Sequence, residues 1–166
     1  MKRLILILSV AAIAFTSCKT NSEPQFTPQI YVSEMVAWHT GDVQSHDTLR
    51  VTFIDNEHII DTVAVGDTVR FAVLINAVTN QLTSFTAKTD AGVLDLKMEL
   101  TSEHSVALEE SSNPDNCELY FKPGYGAATI PMEYIALKSG SAKVTMTLST
   151  TSEFSPGTLS FRHPVE

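Results

Sequence analysis

The chain has 166 residues, with 11 Lys and Arg against 19 Asp and Glu for a formal net charge of −8, and 43% of its residues are hydrophobic. That balance repels phosphate backbones and anionic headgroups, which excludes nucleic acid as an expected partner and leaves no basic patch to seat the protein on a lipid surface. The length is that of one ordinary domain able to bury its own core, and two cysteines are too few for a disulfide-stapled scaffold.

At the start of the chain Lys2 and Arg3 precede an apolar run from Leu4 to Phe15, broken only by Ser9, and small residues then lead to Cys18. This is the layout of an export signal, whose apolar core falls well short of the roughly 20 residues of a spanning helix. The residues Phe15, Thr16, Ser17 and Cys18 resemble the lipobox of bacterial lipoproteins in the relaxed form of the Bacteroidetes, with Phe15 where the stricter pattern has Leu. The resemblance covers the leader alone. It implies cleavage before Cys18, acylation of Cys18, and attachment to the membrane through N-terminal acyl chains as an outer membrane lipoprotein, facing the periplasm or the exterior. The alternative is ordinary cleavage after Ala12, Ile13 and Ala14, an A-x-A site, which gives a soluble periplasmic or secreted protein. Acylation at Cys18 leaves Cys117 as a buried structural thiol, whereas a Cys18–Cys117 disulfide belongs only to the alternative cleavage. The expected organisation is a signal peptide at 1–17, a lipidated N-terminus and flexible tether at 18–28, and a single β-sandwich domain at 29–166. The tether, rich in polar residues and closed by Pro24 and Pro28, reaches about 35 Å when extended.

From Gln29 onward apolar residues recur with a period of two. The alternation is cleanest at Leu94, Leu96, Met98 and Leu100, and at Ala142, Val144, Met146 and Leu148, each expected to be a strand with one wet face. In 68–78 Val69, Phe71, Val73, Ile75 and Ala77 form one face while Ala72 and Leu74 are apolar on the other, which reads as a central strand covered on part of its second face. Weaker alternation predicts strands in 29–36, 47–54, 58–65, 82–88, 117–122, 130–137 and 157–163. Turn formers separate them, among them Asp55-Asn56, Gly66-Asp67 and Pro156-Gly157. One long interruption, 101–116, has room for a turn or two of helix at 105–110. Short strands without helical crossovers predict an all-β fold, an antiparallel sandwich.

Val65, Gly66, Asp67, Thr68, Val69, Arg70 and Phe71 resemble the second strand of the immunoglobulin-like domains of bacterial surface proteins, and the residues from Ala136 to Thr145 resemble their last hairpin. The resemblance implies an immunoglobulin-like β-sandwich. It covers a small part of the domain and lacks the antibody-type cysteine pair, and the sole tryptophan, Trp38, precedes the matching strand. A closed β-barrel is the structural alternative.

Motifs for chemistry are few. The histidines at 39, 46, 58, 104 and 163 form none of the spacings that preorganise a zinc pair, although His39, Asp42, His46 and Asp47 crowd one polar loop, better read as solvated than as a metal site. No G-x-S-x-G elbow is present, and Cys117 lacks the contexts of catalytic cysteines. Glu109, Glu110 and Asp115 offer carboxylates in the long loop, where acids are mostly solvated. Residues 122–128 are glycine-rich without a P-loop Lys-Ser/Thr pair and read as a wide hairpin connection. No catalytic, metal or cofactor-binding residue is assigned and no cofactor is expected. Tyr31, Trp38 and Tyr125 are candidate ligand-contact aromatics for a glycan or peptide, set against ordinary burial. Thr48, Thr62 and Thr68, each after Asp and before an aliphatic residue, resemble the O-glycosylation signal of exported Bacteroidetes proteins. The functional expectation is a non-catalytic binding or adhesion module of the cell envelope for a glycan, peptide or protein partner. A subunit of a surface assembly that acts by strand addition, and a small hydrolase, are the alternatives.

Overall fold

A computed structural model describes residues 25–41, 45–90 and 92–166. Cys18, the leader, most of the tether and Asp42 lie outside the described residues. Two six-stranded sheets face one another. In the first, the order is β3 (His46–Leu49), β2 (Met35–Trp38), β6 (Thr68–Asn76), β10 (Ala127–Ala136) and β8 (Leu94–Met98), with β1 (Gln29–Val32) also paired to β6. In the second it is β4 (Val51–Ile54), β5 (Glu57–Ile60), β12 (Gly157–Val165), β11 (Gly140–Thr150), β7 (Leu82–Thr89) and β9 (Glu118–Tyr120). The fold is therefore the expected β-sandwich, and both sheets have free edges, so the closed barrel is set aside.

Strand alternation builds the core directly. Val69, Phe71, Val73 and Ile75 of β6 meet Ile130, Met132 and Tyr134 of β10 on the inner face of one sheet; Phe85, Val144, Met146, Leu148 and Phe161 come from the other, and all are buried. Burying side chains of this size contributes about 1.5–3 kcal/mol each against chain entropy. Two inward polar side chains lack partners. The Tyr134 hydroxyl and both ring nitrogens of His163 make no hydrogen bond among the described residues, and the two rings pack edge to face at 5.2 Å. Burial accordingly holds the His163 imidazole neutral, its pKa lowered to about 4.

Several expected strands are divided or rerouted. Residues 29–36 form two strands, because the chain breaks at Ser33 and Glu34 and then rejoins the same edge of β6. Ser33 bridges the break: its N–H donates to the Ala72 carbonyl at 2.8 Å and its hydroxyl accepts from the Ala72 N–H at 2.8 Å. Residues 47–54 likewise divide at Arg50, with β3 in one sheet and β4 in the other. Beyond Ile60 the expected strand 58–65 keeps only an isolated bridge at Val63. Leu74 is 45% exposed, so the second face of β6 is not covered there.

The segment from Ala136 to Thr145 is no hairpin. β10 pairs with β6 and β8 while β11 pairs with β7 and β12, so residues 137–139 carry the chain from one sheet to the other. The same correction applies to 122–128, which link β9 of one sheet to β10 of the other. The last hairpin is β11 with β12. The short helix α1 falls at Ser102–Ser105, earlier than expected, where His104 accepts from the Thr101 N–H to close its first turn. Among the described strands pairing is antiparallel except between β5 and β12, and the isolated bridge of Val63 to Val165 is parallel as well.

Candidate binding groove

The division at Arg50 shapes one lateral edge of the sandwich. Asp61 holds the crossing from both sides: its carboxylate accepts from the Arg50 N–H at 2.9 Å, and its own N–H donates to the Arg50 carbonyl at 3.0 Å. Beyond it β4 and β5 form a two-stranded ribbon closed by Asp55 and Asn56, with φ of 49° and 67°. Both values are positive, as a type I′ turn requires, and Asp and Asn tolerate that region at low cost. The ribbon is attached to β12 by a short parallel pairing and by the Arg162–Glu57 ion pair at 3.1 Å. It projects apolar side chains into solvent: Val51 is 56% exposed, Phe53 61% and Ile54 48%.

Beneath the ribbon, no described strand occupies the position in the first sheet beside β1. β3 lies outside β2, but among the described residues β1 pairs with β6 alone. Between β1 and the ribbon runs a cleft of about 240 Å³, lined by Ile30, Val32 and Met35 from one side and by Val51, His58, Ile60, Leu159 and Phe161 from the other, with Tyr31 and Ser33 at its rim. Hydrogen-bond parity identifies what each free edge offers. In antiparallel strands alternate residues bond to opposite neighbours. The Ser33-to-Ala72 bond assigns the odd residues of β1 to β6, so the N–H and C=O groups of Ile30 and Val32 point outward while their side chains turn into the cleft. The Asp61-to-Arg50 bond assigns the even residues of β4 to β5, so Val51 and Phe53 present their backbone groups outward.

The three candidate aromatics occupy three places. Tyr31 stands 55% exposed at the rim of this groove. Trp38 is half-buried on the outer face of the first sheet, stacked on His46 at 4.8 Å with the Arg70 guanidinium 6.0 Å from its ring. Tyr125 lines a separate cleft of about 280 Å³ with Leu100, His104, Leu119, Phe121 and Ile130. They do not converge on one platform. Thr48 and Thr62 are exposed and Thr68 is half-buried beside Trp38.

The polar loop is drawn together around His39, not His46. His39 Nδ1 lies 3.1 Å from Asp67 and Nε2 lies 3.1 Å from Asp47. With a carboxylate at each nitrogen both must donate, and the bonds to Asp47 first and Asp67 next raise the His39 pKa and favour imidazolium. Asp67 is buried and also accepts from the Ala64 and Thr40 N–H groups, so it ties the loops before β3 and β6 together. Gly66 completes this knot, since a Cβ there would sit 2.6 Å from Thr40 Oγ1. Both ring nitrogens of His39 and both carboxylate oxygens of Asp67 are spent on holding these loops together, which is a stabilising arrangement. No grouping able to hold a metal occurs among the described residues. Glu109, Glu110 and Asp115 share one broad open depression, all exposed. Cys117 is a free, buried thiol within 3.5 Å of the Leu96 carbonyl, its pKa raised to about 11 chiefly by burial.

Sequence reasoning missed the groove because 47–54 reads as one strand. The available signal was Val51, Thr52, Phe53 and Ile54 following Arg50, an apolar run with no wet face to match the preceding alternation.

No protein-family model matches the chain, and no curated protein matches it. Among solved structures it is similar to a DUF4466 family protein from Parabacteroides merdae, at 11% identity over 83% of this chain with a TM-score of 0.46, and it spans 44% of that protein's length. It is also similar to domains 4 and 5 of the S-layer protein SbsC, at 16% identity over 72% of this chain and 51% of the other with a TM-score of 0.39. A family 123 glycoside hydrolase from Clostridium perfringens aligns over 65% of this chain and 23% of its own, at 12% identity and a TM-score of 0.35. At such identities and scores these likenesses carry nothing about ligand or activity, and the β-sandwich rests on the chain's own strand order.

Proposed function

We propose that this protein is a non-catalytic binding module of the cell envelope, held by acyl chains on Cys18, that takes an extended segment of a partner protein into the groove beside β1. The observation that carries the reading is the strand position beside β1 that no described strand occupies. A segment added there bonds to the outward groups of Ile30 and Val32, and every second side chain drops into the apolar cleft below Val51, His58 and Phe161. Backbone bonding supplies affinity and the cleft supplies selectivity for aliphatic residues. The leader and its lipobox support the envelope location, and the use of His39, Asp47 and Asp67 in tying loops supports a non-catalytic role.

A photo-crosslinking residue placed at Tyr31 in the full chain, in its own envelope, is expected to capture a protein. Val32→Pro, which removes one outward N–H and leaves the bonds to β6 in place, is expected to abolish the capture. Capture that persists in Val32→Pro at full yield rejects the groove as the site. Independently, Cys18→Ala is expected to release the protein from the membrane fraction, and unchanged fractionation rejects the anchor.

A further inference from the structure

We infer that the free edge of β4 pairs antiparallel with β4 of a second copy of this chain, joining two second sheets across a two-fold axis. Edge strands in stable monomers are short, charged, interrupted by proline or covered. β4 is short, at four residues, but along Val51, Thr52 and Phe53 it is uncharged, free of proline and exposed on both faces, and its outward N–H and C=O groups belong to Val51 and Phe53.

Parity limits the registers an antiparallel two-fold pair can take, because opposed residues must share both a face and a bonding direction. Centring the axis on Thr52 satisfies both. Val51 then stands opposite Phe53 of the other copy, twice, in hydrogen-bonded pairs, and Thr52 faces its own counterpart. Aromatic with β-branched and Thr with Thr are favoured cross-strand pairs, so the short run is complementary to itself read backward. Charge agrees at both ends: antiparallel alignment sets Arg50 of each copy beside the turn of the other, which carries Asp55. Both residues are exposed, and neither forms an ion pair among the described residues. Such a contact is isologous and closes at two copies, which a chain of this net acidity tolerates better than open polymerisation.

This pairing uses backbone groups different from those β1 offers, so it stands or falls separately from the capture of a partner segment. The test is a cysteine scan of the exposed outer face of β4 in the full chain at its native location under mild oxidation. At the inferred register the Thr52 positions form a non-hydrogen-bonded pair with Cα atoms about 4.5 Å apart, within disulfide range, whereas Ile54 positions are four residues out of step. Thr52→Cys is expected to give a reducible species of twice the chain mass, Ile54→Cys is not, and adding Phe53→Pro to Thr52→Cys is expected to remove it. The unsubstituted chain is expected to sediment as a concentration-dependent dimer that Phe53→Lys converts to monomer. Equal crosslinking at 52 and 54, crosslinking that survives Phe53→Pro, a Thr52→Cys product with another protein, or a monomer at all concentrations overturns the inference.

Discussion

The two lateral edges of the sandwich are closed to different degrees, and the length of chain crossing each one decides the difference. At the β8–β9 edge the crossing is the long segment after Met98. It bonds as it goes, Glu99 N–H to Pro131 at 3.0 Å, Glu109 N–H to Tyr120 at 2.9 Å, and Ala107 accepting from Lys122 at 2.9 Å, and it buries Leu108, Cys117 and Phe121. Its 3₁₀ turn, Pro114–Asn116, lies against β8. At the β1–β4 edge the crossing from β3 to β4 is the single residue Arg50, and among the described residues no strand pairs with the outer edge of β1 or of β4. A backbone group at an edge is satisfied either by the chain itself or by whatever arrives, so the bare edge is where a partner gains most.

The contrast can be broken most severely from the closed side. Met98→Asp puts an unpaired carboxylate at a position only 7% exposed, and a loss of at least about 4 kcal/mol is expected in denaturant melts. The neighbouring Lys97→Asp, on the wet face, is expected to stay within about 1 kcal/mol; equal losses reject the facing of β8. Phe121→Ala, at the closed edge, is expected to cost about 3–4 kcal/mol.

Acid tests the ribbon's support, since His163 lies on β12, which carries β5. Its pKa is lowered in the folded state to about 4 from 6.5. Between those values the unfolded chain binds a proton that the folded chain does not, so stability is full above pH 6.5 and falls by about 3 kcal/mol as pH drops to 4. His163→Phe is expected to flatten that slope in unfolding measured across the interval, and an unchanged slope assigns it to other groups. Cys117 reports on the closed edge more finely. Buried, with its pKa raised to about 11, it is expected to resist alkylation at pH 8 until denaturant opens the segment, and prompt modification in buffer contradicts closure. The smallest effect belongs to the bare edge, where Phe53→Ala is expected to change monomer stability by no more than about 0.5 kcal/mol, against the large cost at Phe121. A loss as large as that of Phe121→Ala means Phe53 is packed.

Much of the fold was legible because alternation reports burial. Strands β6, β8, β10 and β11 line the core on one face, so the period of two at Val69–Ile75 or Ala142–Leu148 carries their position. Alternation is silent about which sheet a strand joins. The residues from Ala136 to Thr145 have the same pattern whether they fold back in one sheet or cross to the facing one, and the structure has them cross. Of the candidate site residues, Tyr31 reaches the groove, while Trp38 and Tyr125 lie elsewhere, since sequence separation carries no distance between strands of different sheets. His39 and Asp67 are 28 residues apart and meet only because β2 pairs with β6.

By itself the sequence determined the class of the fold, through side chains that change sides at every residue, and the acidic surface that turns anions away. The tertiary structure alone decided that one edge is covered and the other bare. That outcome depends on where a single residue, Arg50, leaves one sheet for the other under the hold of Asp61, a long-range pairing that local pattern does not encode.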